Sequence, residues 1–288
     1  MLPAEANTLE LDAPRPPVTE AQVQALETEF LKLPQTDCPV VHRFGPGIYI
    51  REVTIPADTF SIGHRQTTTH MNVMLAGRVT MVHDDGSRTE LVAPQTFVAP
   101  PGRKIGYVHE TVVWQNIYPT TETDVATLES IFLDKSPAWE TAQKDRQMLL
   151  NFGRSEDIAD YHLAIAEYGF DPDTVRQQTE NLADQIPFPA GAYKITVTSS
   201  AIEGQGLFAT ANIAAHELIA PARVDGMRTP AGRYTNHSKT PNAAMVQSDS
   251  GDIYLFSICD IVGCKGGDLG AEITIDYRQA LDLVLRRT

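Results

Sequence analysis

The sequence predicts a mainly β protein of two domains, in which a β-barrel is joined by an α-helical linker to a second, smaller β fold. Three observations predict this class. The length of 288 residues exceeds that of one typical domain. Short β-branched and aromatic segments between Gly and Pro turns fill the first half of the chain, a pattern typical of barrels and sandwiches. The middle of the chain repeats apolar residues three or four apart, which indicates helices, before short strands return.

This pattern divides the chain into four parts. Residues 1–38 form a proline-rich irregular arm and then a short helix that begins after Thr19. The barrel is expected at 39–120, the acidic helical linker at 121–189 and the second β domain at 190–288. Helices are expected near 122–133, 137–150, 156–168, 171–184 and 279–287.

The net charge of −14 lies almost wholly in the first two thirds of the chain. From Gly191 onward there are 9 basic and 10 acidic residues, so the remainder holds 14 of the 23 basic and 27 of the 37 acidic residues. Between Thr120 and Ile186, 14 acidic residues stand against 5 basic ones. An acidic body repels nucleic-acid phosphates and attracts basic protein surfaces, so direct binding of DNA or RNA is not expected.

The composition also predicts a compartment. No apolar stretch approaches the roughly 20 residues that span a bilayer, so no membrane association is expected. The first 14 residues lack the basic and apolar regions of a secretory leader. Cys38, Cys259 and Cys264 are too few and too scattered for a disulfide framework, and free thiols are favoured over a pair or a metal site. These observations predict a reducing cytoplasm.

Three C-terminal segments carry the chemistry. In SSAIEGQGLFAT (199–210), Gly204 and Gly206 flank one residue before an apolar strand, so that backbone can approach a ligand closely. An ordinary hairpin explains the same pattern. It is not a dinucleotide fingerprint, because no long helix follows.

The second segment is RYTNHSKTPNAAMV (233–246), where Asn236 and His237 open a dense polar group between apolar residues. Such a group can hold a polar cofactor, or simply stabilise a turn. In the third segment, LGAEITIDYRQAL (269–281), an alternating strand ends at Tyr277. A phenol there could orient a reacting amine, or it could cap the core.

In this order, the three segments resemble the SET family of protein lysine methyltransferases. The resemblance covers about residues 192–280 and is strongest to small SET domains of bacterial and viral origin. It implies a SET-type fold in which the Asn-His-Ser strand threads beneath the C-terminal segment as a pseudoknot. It implies that S-adenosyl-methionine is held by Gly204, Gln205, Gly206, Leu207, Asn236 and His237. It further implies that a substrate lysine enters from the opposite face, beside Tyr277 as the catalytic tyrosine.

The chain departs from this family in several places. The strand after Glu217 lacks the tyrosine that helps to build the lysine channel in many members. Tyr234 or Tyr254 could take its place in the substrate channel, and the sequence does not decide between them. The zinc-binding module that follows many SET domains is absent after Tyr277, so the last helix would close the channel instead.

The first half resembles cupin-type β-barrels, through GHRQTTTHMNVMLAGRVTMV and APPGRKIGYVHETVVWQ. Cupins hold a metal with two histidines, a glutamate and a later histidine. Here His64 matches the first histidine, Gln66 replaces the second, and His70 falls at the glutamate. Ile105 takes the later position, with His109 four residues on. The resemblance implies a barrel that has lost its metal and serves in binding or homo-oligomerisation. A divalent metal on His64, His70 and His109 is the alternative.

The leading hypothesis is an S-adenosyl-methionine-dependent protein-lysine N-methyltransferase whose acidic region recruits the protein substrate. The pairing of a cupin-like barrel with a small SET domain resembles proteins encoded by bacteriophages, which would place the chain in the host cytoplasm or the virion. Two alternatives remain open. One is a non-catalytic assembly or virion-associated scaffold. The other is a cupin-type metal oxygenase or isomerase with an accessory SET region.

Overall fold

The computed structural model describes residues 16–151, 154–265 and 268–285. Most of the predicted N-terminal arm therefore lies outside the described residues, as do the last positions of the predicted final helix. Strands account for 40% of the protein and helices for 26%, so the mainly β prediction is confirmed. Within the described ranges, no helix has the length and apolar character needed to cross a bilayer.

Six of the seven helices in the described residues lie close to where the sequence predicts them, and the short helix Pro230–Tyr234 was not predicted. Thr19 caps the first one in a capping box with Gln22, and the Asp171 side chain accepts a hydrogen bond from the Thr174 backbone N–H at the start of another. The last helix begins at Tyr277, slightly before the expected start. The helices are α1 (Glu20–Phe30), α2 (Val125–Phe132), α3 (Pro137–Asn151), α4 (Ser155–Glu167), α5 (Pro172–Glu180), α6 (Pro230–Tyr234) and α7 (Tyr277–Leu285).

The N-terminal half contributes nine strands. They are β1 (Val40–Gly45), β2 (Ile48–Ile55), β3 (Thr59–Ile62), β4 (Arg65–Gln66), β5 (His70–Val82), β6 (Arg88–Val92), β7 (Gln95–Ala99), β8 (Ile105–Pro119) and β9 (Leu133–Asp134). The long strands β5 and β8 organise the main sheet, because each pairs with several shorter strands.

The C-terminal part adds one strand, β10, to the main sheet and further short strands in two four-stranded sheets and one small hairpin. They are β10 (Gly191–Tyr193), β11 (Ile195–Ser199), β12 (Gln205–Ala209), β13 (Leu218–Val224), β14 (Met227–Arg228), β15 (Asn236–His237), β16 (Ala243–Gln247), β17 (Ile253–Ser257), β18 (Cys264–Lys265), β19 (Asp268–Leu269) and β20 (Glu272–Ile275). The sheet orders are β11-β12-β20-β15 and β14-β13-β17-β16.

The main sheet is open, which corrects the prediction of a closed barrel. Its eight strands run β10-β1-β2-β8-β5-β6, with β3 beside β8 and β7 beside β5. Within the described residues, no ladder joins the terminal strands β6 and β10. The edge of β1 is taken instead by β10, which arrives from the C-terminal part and pairs Tyr193 with His42.

One apolar core runs through both halves of the protein. It contains Phe44, Tyr49 and Tyr118 from the main sheet, together with buried residues of α2 and of the C-terminal strands. Tyr118 stacks on Phe132 of α2 with ring centroids 4.2 Å apart. The domain boundary at residue 190 stays a prediction, but the strand that follows it completes the N-terminal sheet.

Candidate functional site

The three C-terminal segments singled out above meet around β20. Strand β12 pairs antiparallel with one edge of β20, bringing Leu207 opposite Ile273. Strand β15 pairs parallel with β20, bringing Asn236 opposite Thr274 and His237 opposite Ile275. Segments that are far apart in the chain therefore lie on adjacent strands, and Tyr277 follows directly after the end of β20.

The Asn236 side chain ties these strands together. Its Nδ2 donates to the backbone carbonyls of Glu203 and Gln205, each at 3.1 Å, and to Oε1 of Glu272 at 3.0 Å. The glycine turn that it holds has Gly204 at φ +49°, a backbone conformation that glycine adopts at little cost. Asn236 thus fixes the shape of the predicted cofactor turn.

Gly206 is required by a neighbour that the sequence analysis did not identify. A Cβ at this position would lie 2.3 Å from Oε1 of Glu272. The Glu272 side chain is buried and also accepts a hydrogen bond from Ser200 Oγ at 2.7 Å. Gly206 therefore makes room for a buried carboxylate, whereas the expected reason was the approach of a ligand. The one charged residue in the strand sequence EITI was the available indication.

His237 is fully buried, and both ring nitrogens have partners. The Tyr277 backbone N–H donates to Nδ1 at 3.1 Å, so the ring hydrogen lies on Nε2 and is donated to Asp160 Oδ2 at 2.8 Å. Hydrogen bonds from Arg278 and His237 hold the pKa of Asp160 below its usual range. His237 therefore orients α7, and both of its ring nitrogens form hydrogen bonds within the protein.

Helix α4 covers this site, although the sequence placed it in a linker. Asp160 and Tyr161 share one helix face with Asp157 because they follow it by three and four residues. Asp157 Oδ1 accepts a hydrogen bond from Ser238 Oγ at 2.6 Å. The Tyr161 ring lies edge-on to that of Tyr277, with centroids 6.1 Å apart.

Tyr277 lies at the centre of the site. Its ring centroid is 5.4 Å from that of His237, and its hydroxyl donates to the Thr235 carbonyl at 3.3 Å. Burial raises the pKa of the Tyr277 phenol above its usual range, so the phenol stays neutral. With its hydrogen directed at Thr235, the oxygen keeps lone pairs that can accept an N–H from an amine.

The two candidate channel tyrosines lie in different places. Tyr234 packs against the same apolar core as Tyr277, with the Arg233 guanidinium 4.7 Å from its ring. Tyr254 alternates with buried Ile253 and Leu255 on β17, so it faces the other side of the strand. Tyr234 thus shares a core with Tyr277, and Tyr161, which the sequence analysis did not single out, contacts the Tyr277 ring.

The candidate metal ligands of the first half do not form one site. His64 lines a cavity of about 540 Å³, with its ring 4.7 Å from that of Trp139. His109 lies on the opposite face of β8 from buried Val108 and bonds Thr80 Oγ1 at 2.8 Å. No cluster of three or more His, Cys, Asp or Glu side chains suited to a metal occurs in the part of the chain that the structure describes.

A lysine stands beside the third candidate, His70. Lys104 immediately precedes the position where the cupin pattern has a histidine. Its Nζ lies 2.8 Å from Nε2 of His70 and 3.1 Å from Oδ1 of Asn116. The Tyr118 hydroxyl donates to Oε1 of Gln66, the residue that the cupin resemblance aligns with the second histidine.

Comparisons with known proteins give matches to solved structures alone. No protein-family model matches the chain, and no curated protein matches it. The chain is similar to a cupin-2 domain-containing protein from Shewanella frigidimarina, at 16% identity and a TM-score of 0.25, over 33% of this chain and 91% of that one. It is also similar to an RmlC-like cupin family protein from Methanocaldococcus jannaschii, at 11% identity and a TM-score of 0.24, over 30% and 83% of the two chains.

A third similar structure is a cupin 2 conserved barrel domain protein from Salinispora arenicola. The identity is 19% and the TM-score 0.23, over 32% of this chain and 80% of that one. Each of these similarities covers about a third of the chain. Its function must be argued from its own residues.

Proposed function

We propose that this chain is an S-adenosyl-methionine-dependent protein-lysine N-methyltransferase. The observation that carries the proposal is the convergence of the Gly204 turn, the Asn236-His237 strand and Tyr277 around β20. The neutral phenol of Tyr277 lies at the end of this arrangement. Methyl transfer to an uncharged amine requires a polar contact of this kind that adds no charge.

Two features of the site fit a bound cofactor and amine. A Cβ added at Gly204 would meet nothing within 4 Å, so the turn has an open face that backbone groups can present to a ligand. The Tyr161 hydroxyl is buried without a hydrogen-bond partner among the described residues. Because an unpaired buried hydroxyl is costly, a polar ligand group near Tyr277 would stabilise this arrangement. The side chains of Asn236 and His237 are already paired, so they would act by shaping the backbone.

The cofactor would supply a methyl group made electrophilic by its sulfonium. The chain's own residues would then align the amine. Tyr277 can accept an amine N–H, and Tyr161 can provide a second polar contact. Their apolar surroundings, which include Ile165 and Ile202, disfavour a charged ammonium and keep the amine nucleophilic. Alignment of this kind contributes on the order of 7–11 kcal/mol to a transfer reaction.

The acidic charge suits a basic protein substrate. Residues 120–186 carry most of the excess of acidic groups, and α4 from this segment borders the site. A lysine within a basic surface would be attracted to it over a Debye length of about 8 Å at physiological salt. The substrate class is therefore a lysine side chain in a basic protein region.

Calorimetric titration of the full chain with S-adenosyl-methionine tests the cofactor site, with Asn236→Ala as the variant. Incubation with tritiated S-adenosyl-methionine and a lysine-containing peptide library tests transfer. Saturable binding and label on lysine are the expected results. An absence of binding by folded protein would overturn the proposal.

A non-catalytic assembly or virion-associated scaffold is the second candidate. The observation that favours it is the cover of α4 over His237 and Ser238, which gives these side chains internal partners in place of a ligand. A scaffold would show a stable oligomer by light scattering and no heat on addition of the cofactor. The same titration therefore separates the two candidates.

A further inference from the structure

The cavity of about 540 Å³ that His64 lines is a second candidate site, distinct from the one around Tyr277. Its volume lies in the range of small-molecule sites. One wall is apolar and is built by residues of β2, β5 and β8. The lining residues of this wall are Val53, Ile55, Val79, Met81, Val108 and Val112. Such a wall fits the body of an apolar ligand.

Lys104 lines this cavity without a carboxylate partner among the described residues. Two other cations near it are neutralised, Arg51 by Glu129 and Arg103 by Glu27. Lys104 contacts instead the neutral groups His70 and Asn116, and its Nζ lies 5.8 Å from the Trp114 ring centroid. An amine placed in this way is not held in its charged form.

His70 is oriented to take a proton from that amine. Its Nδ1 lies 2.9 Å from the Thr68 carbonyl oxygen, which can only accept, so the ring hydrogen is on Nδ1. Nε2 is therefore an acceptor toward Lys104 at 2.8 Å. His70 is itself buried and stacks on the Tyr118 ring at 5.5 Å, which fixes its position.

The electrostatics of the cavity agree with this geometry. Burial, with a further contribution from the Arg51 charge, lowers the pKa of Lys104 to about 7. Burial and then the Lys104 charge lower the pKa of His70. Near neutral pH, a substantial fraction of Lys104 is thus a free amine. Desolvated lysines of this kind are nucleophiles toward carbonyl groups.

We infer that this cavity binds a small aldehyde or ketone with an apolar body, and that Lys104 condenses with its carbonyl group. The Nζ lone pair forms a bond to the carbonyl carbon while the carbonyl oxygen is protonated. Loss of that oxygen as water leaves a C=N bond in place of the C=O bond. Both protons of that water come from the neutral Nζ amine through Nε2 of His70, the first reaching the carbonyl oxygen as the C–N bond forms and the second as the C–O bond breaks. The step needs no co-reactant and reverses on hydrolysis.

Reductive trapping tests this inference independently of the methyl-transfer proposal. The full chain is incubated with hexanal and sodium cyanoborohydride at pH 7, and the alkylated lysines are mapped by peptide mass spectrometry. We expect Lys104 to be labelled at least about tenfold faster than exposed Lys32, since each unit of lowered pKa gives about tenfold more free amine. Labelling of Lys104 no faster than that of Lys32 would overturn the inference.

Lys104→Met should remove the fast phase of labelling, with Lys32→Met as the matched control that keeps it. Near-ultraviolet circular dichroism verifies that both variants are folded, and Lys104→Arg provides a second variant that keeps a cation beside His70. His70→Gln should shift the pH profile of labelling at Lys104. A fast phase that persists in folded Lys104→Met or Lys104→Arg protein refutes the assignment.

Discussion

The Tyr277 backbone N–H donates a hydrogen bond to Nδ1 of His237 at 3.1 Å. This bond joins the start of α7 to β15 and fixes which nitrogen of the histidine faces Asp160. Because this bond holds the backbone of Tyr277, it also places the Tyr277 side chain beside the strand that carries Asn236. A buried histidine thus positions the phenol on which the proposed chemistry depends.

Tyr277→Phe should lower methyl transfer by about 100-fold and leave cofactor affinity within a few-fold. The reason is that one preorganised polar contact to the reacting amine is worth on the order of 3 kcal/mol. The measurement is single-turnover transfer of tritiated methyl, with calorimetry for binding. Tyr107→Phe, on the exposed face of β8, is the control. Unchanged turnover in Tyr277→Phe would remove the residue from the mechanism.

Asn236→Ala should weaken binding of S-adenosyl-methionine more than it slows transfer at saturating cofactor. Loss of the amide leaves the Glu203 and Gln205 carbonyls without this donor, and buried Glu272 loses one of its donors. The free energy of unfolding should therefore fall by about 1–3 kcal/mol.

Asn242→Ala is the matched variant for this test. Asn242 also bonds β20, by donating to the Glu272 carbonyl and accepting from the Thr274 N–H, but it does not hold the glycine turn. It should therefore show a similar loss of stability in urea with a smaller loss of cofactor affinity. Equal losses of affinity in the two variants would mean that the turn is not the cofactor contact.

Gly206→Ala should destabilise the fold by about 1–3 kcal/mol, because the new methyl group would overlap the Glu272 carboxylate. Urea unfolding followed by circular dichroism gives the value. Gly45→Ala, where an added Cβ meets nothing within 4 Å, is the control and should change stability by less than about 0.5 kcal/mol. Equal stability of the two variants would contradict the crowding at Gly206.

Asp160→Asn should flatten the acid limb of the stability curve. The pKa of Asp160 is lowered in the folded state, first by Arg278 and then by His237. Its contribution is therefore complete above its ordinary value of 3.8 and is lost as the pH falls below that value. Urea midpoints between pH 3 and 6 measure the effect, with exposed Asp249→Asn as control. A parallel curve for Asp160→Asn and the parent would show that this ion pair does not hold α4.

Lys104→Met should abolish a rise of stability with pH in the alkaline range. Because the pKa of Lys104 is lowered from 10.5 to about 7, the unfolded chain binds more protons between these values. Stability should then rise with pH across this window, with a slope of up to about 1.4 kcal/mol per unit from this one group. Denaturant titrations from pH 7 to 10 measure the slope, and Lys32→Met should retain it. If the slope is unchanged in Lys104→Met, the folded protein does not favour the neutral amine of Lys104.

Local patterns predicted much of this structure. Helix starts such as Thr19 and Asp171 could be located because capping depends on neighbouring residues alone. The meeting of the glycine turn, Asn236 and Tyr277 was expected from the order of motifs. That expectation came from the resemblance to a known family. Without such a resemblance, a sequence does not show which strands far apart in the chain pair with each other.

The sequence could not show contacts between residues far apart in the chain, nor the roles that depend on those contacts. Asp157, Asp160 and Tyr161 fell within the helix predicted near 156–168 of the acidic linker, and no local pattern indicates which part of the protein that helix contacts. Lys104 was not singled out in the sequence, because its role depends on His70, which lies on a different strand. The closed barrel was wrong for a related reason, as β10, the partner of β1, comes from the last third of the chain.

That pairing of β1 with β10 has a consequence for biosynthesis. A ribosome releasing the chain would expose the unpaired edge of β1, with Phe44 beside it, until the last third had been made. We therefore expect the nascent N-terminal half to be prone to aggregation, and a gene split before residue 190 to yield a first product that lacks the strand paired with β1. The native state requires contacts between residues far apart in the chain. Because such contacts form slowly, we expect slow folding after translation.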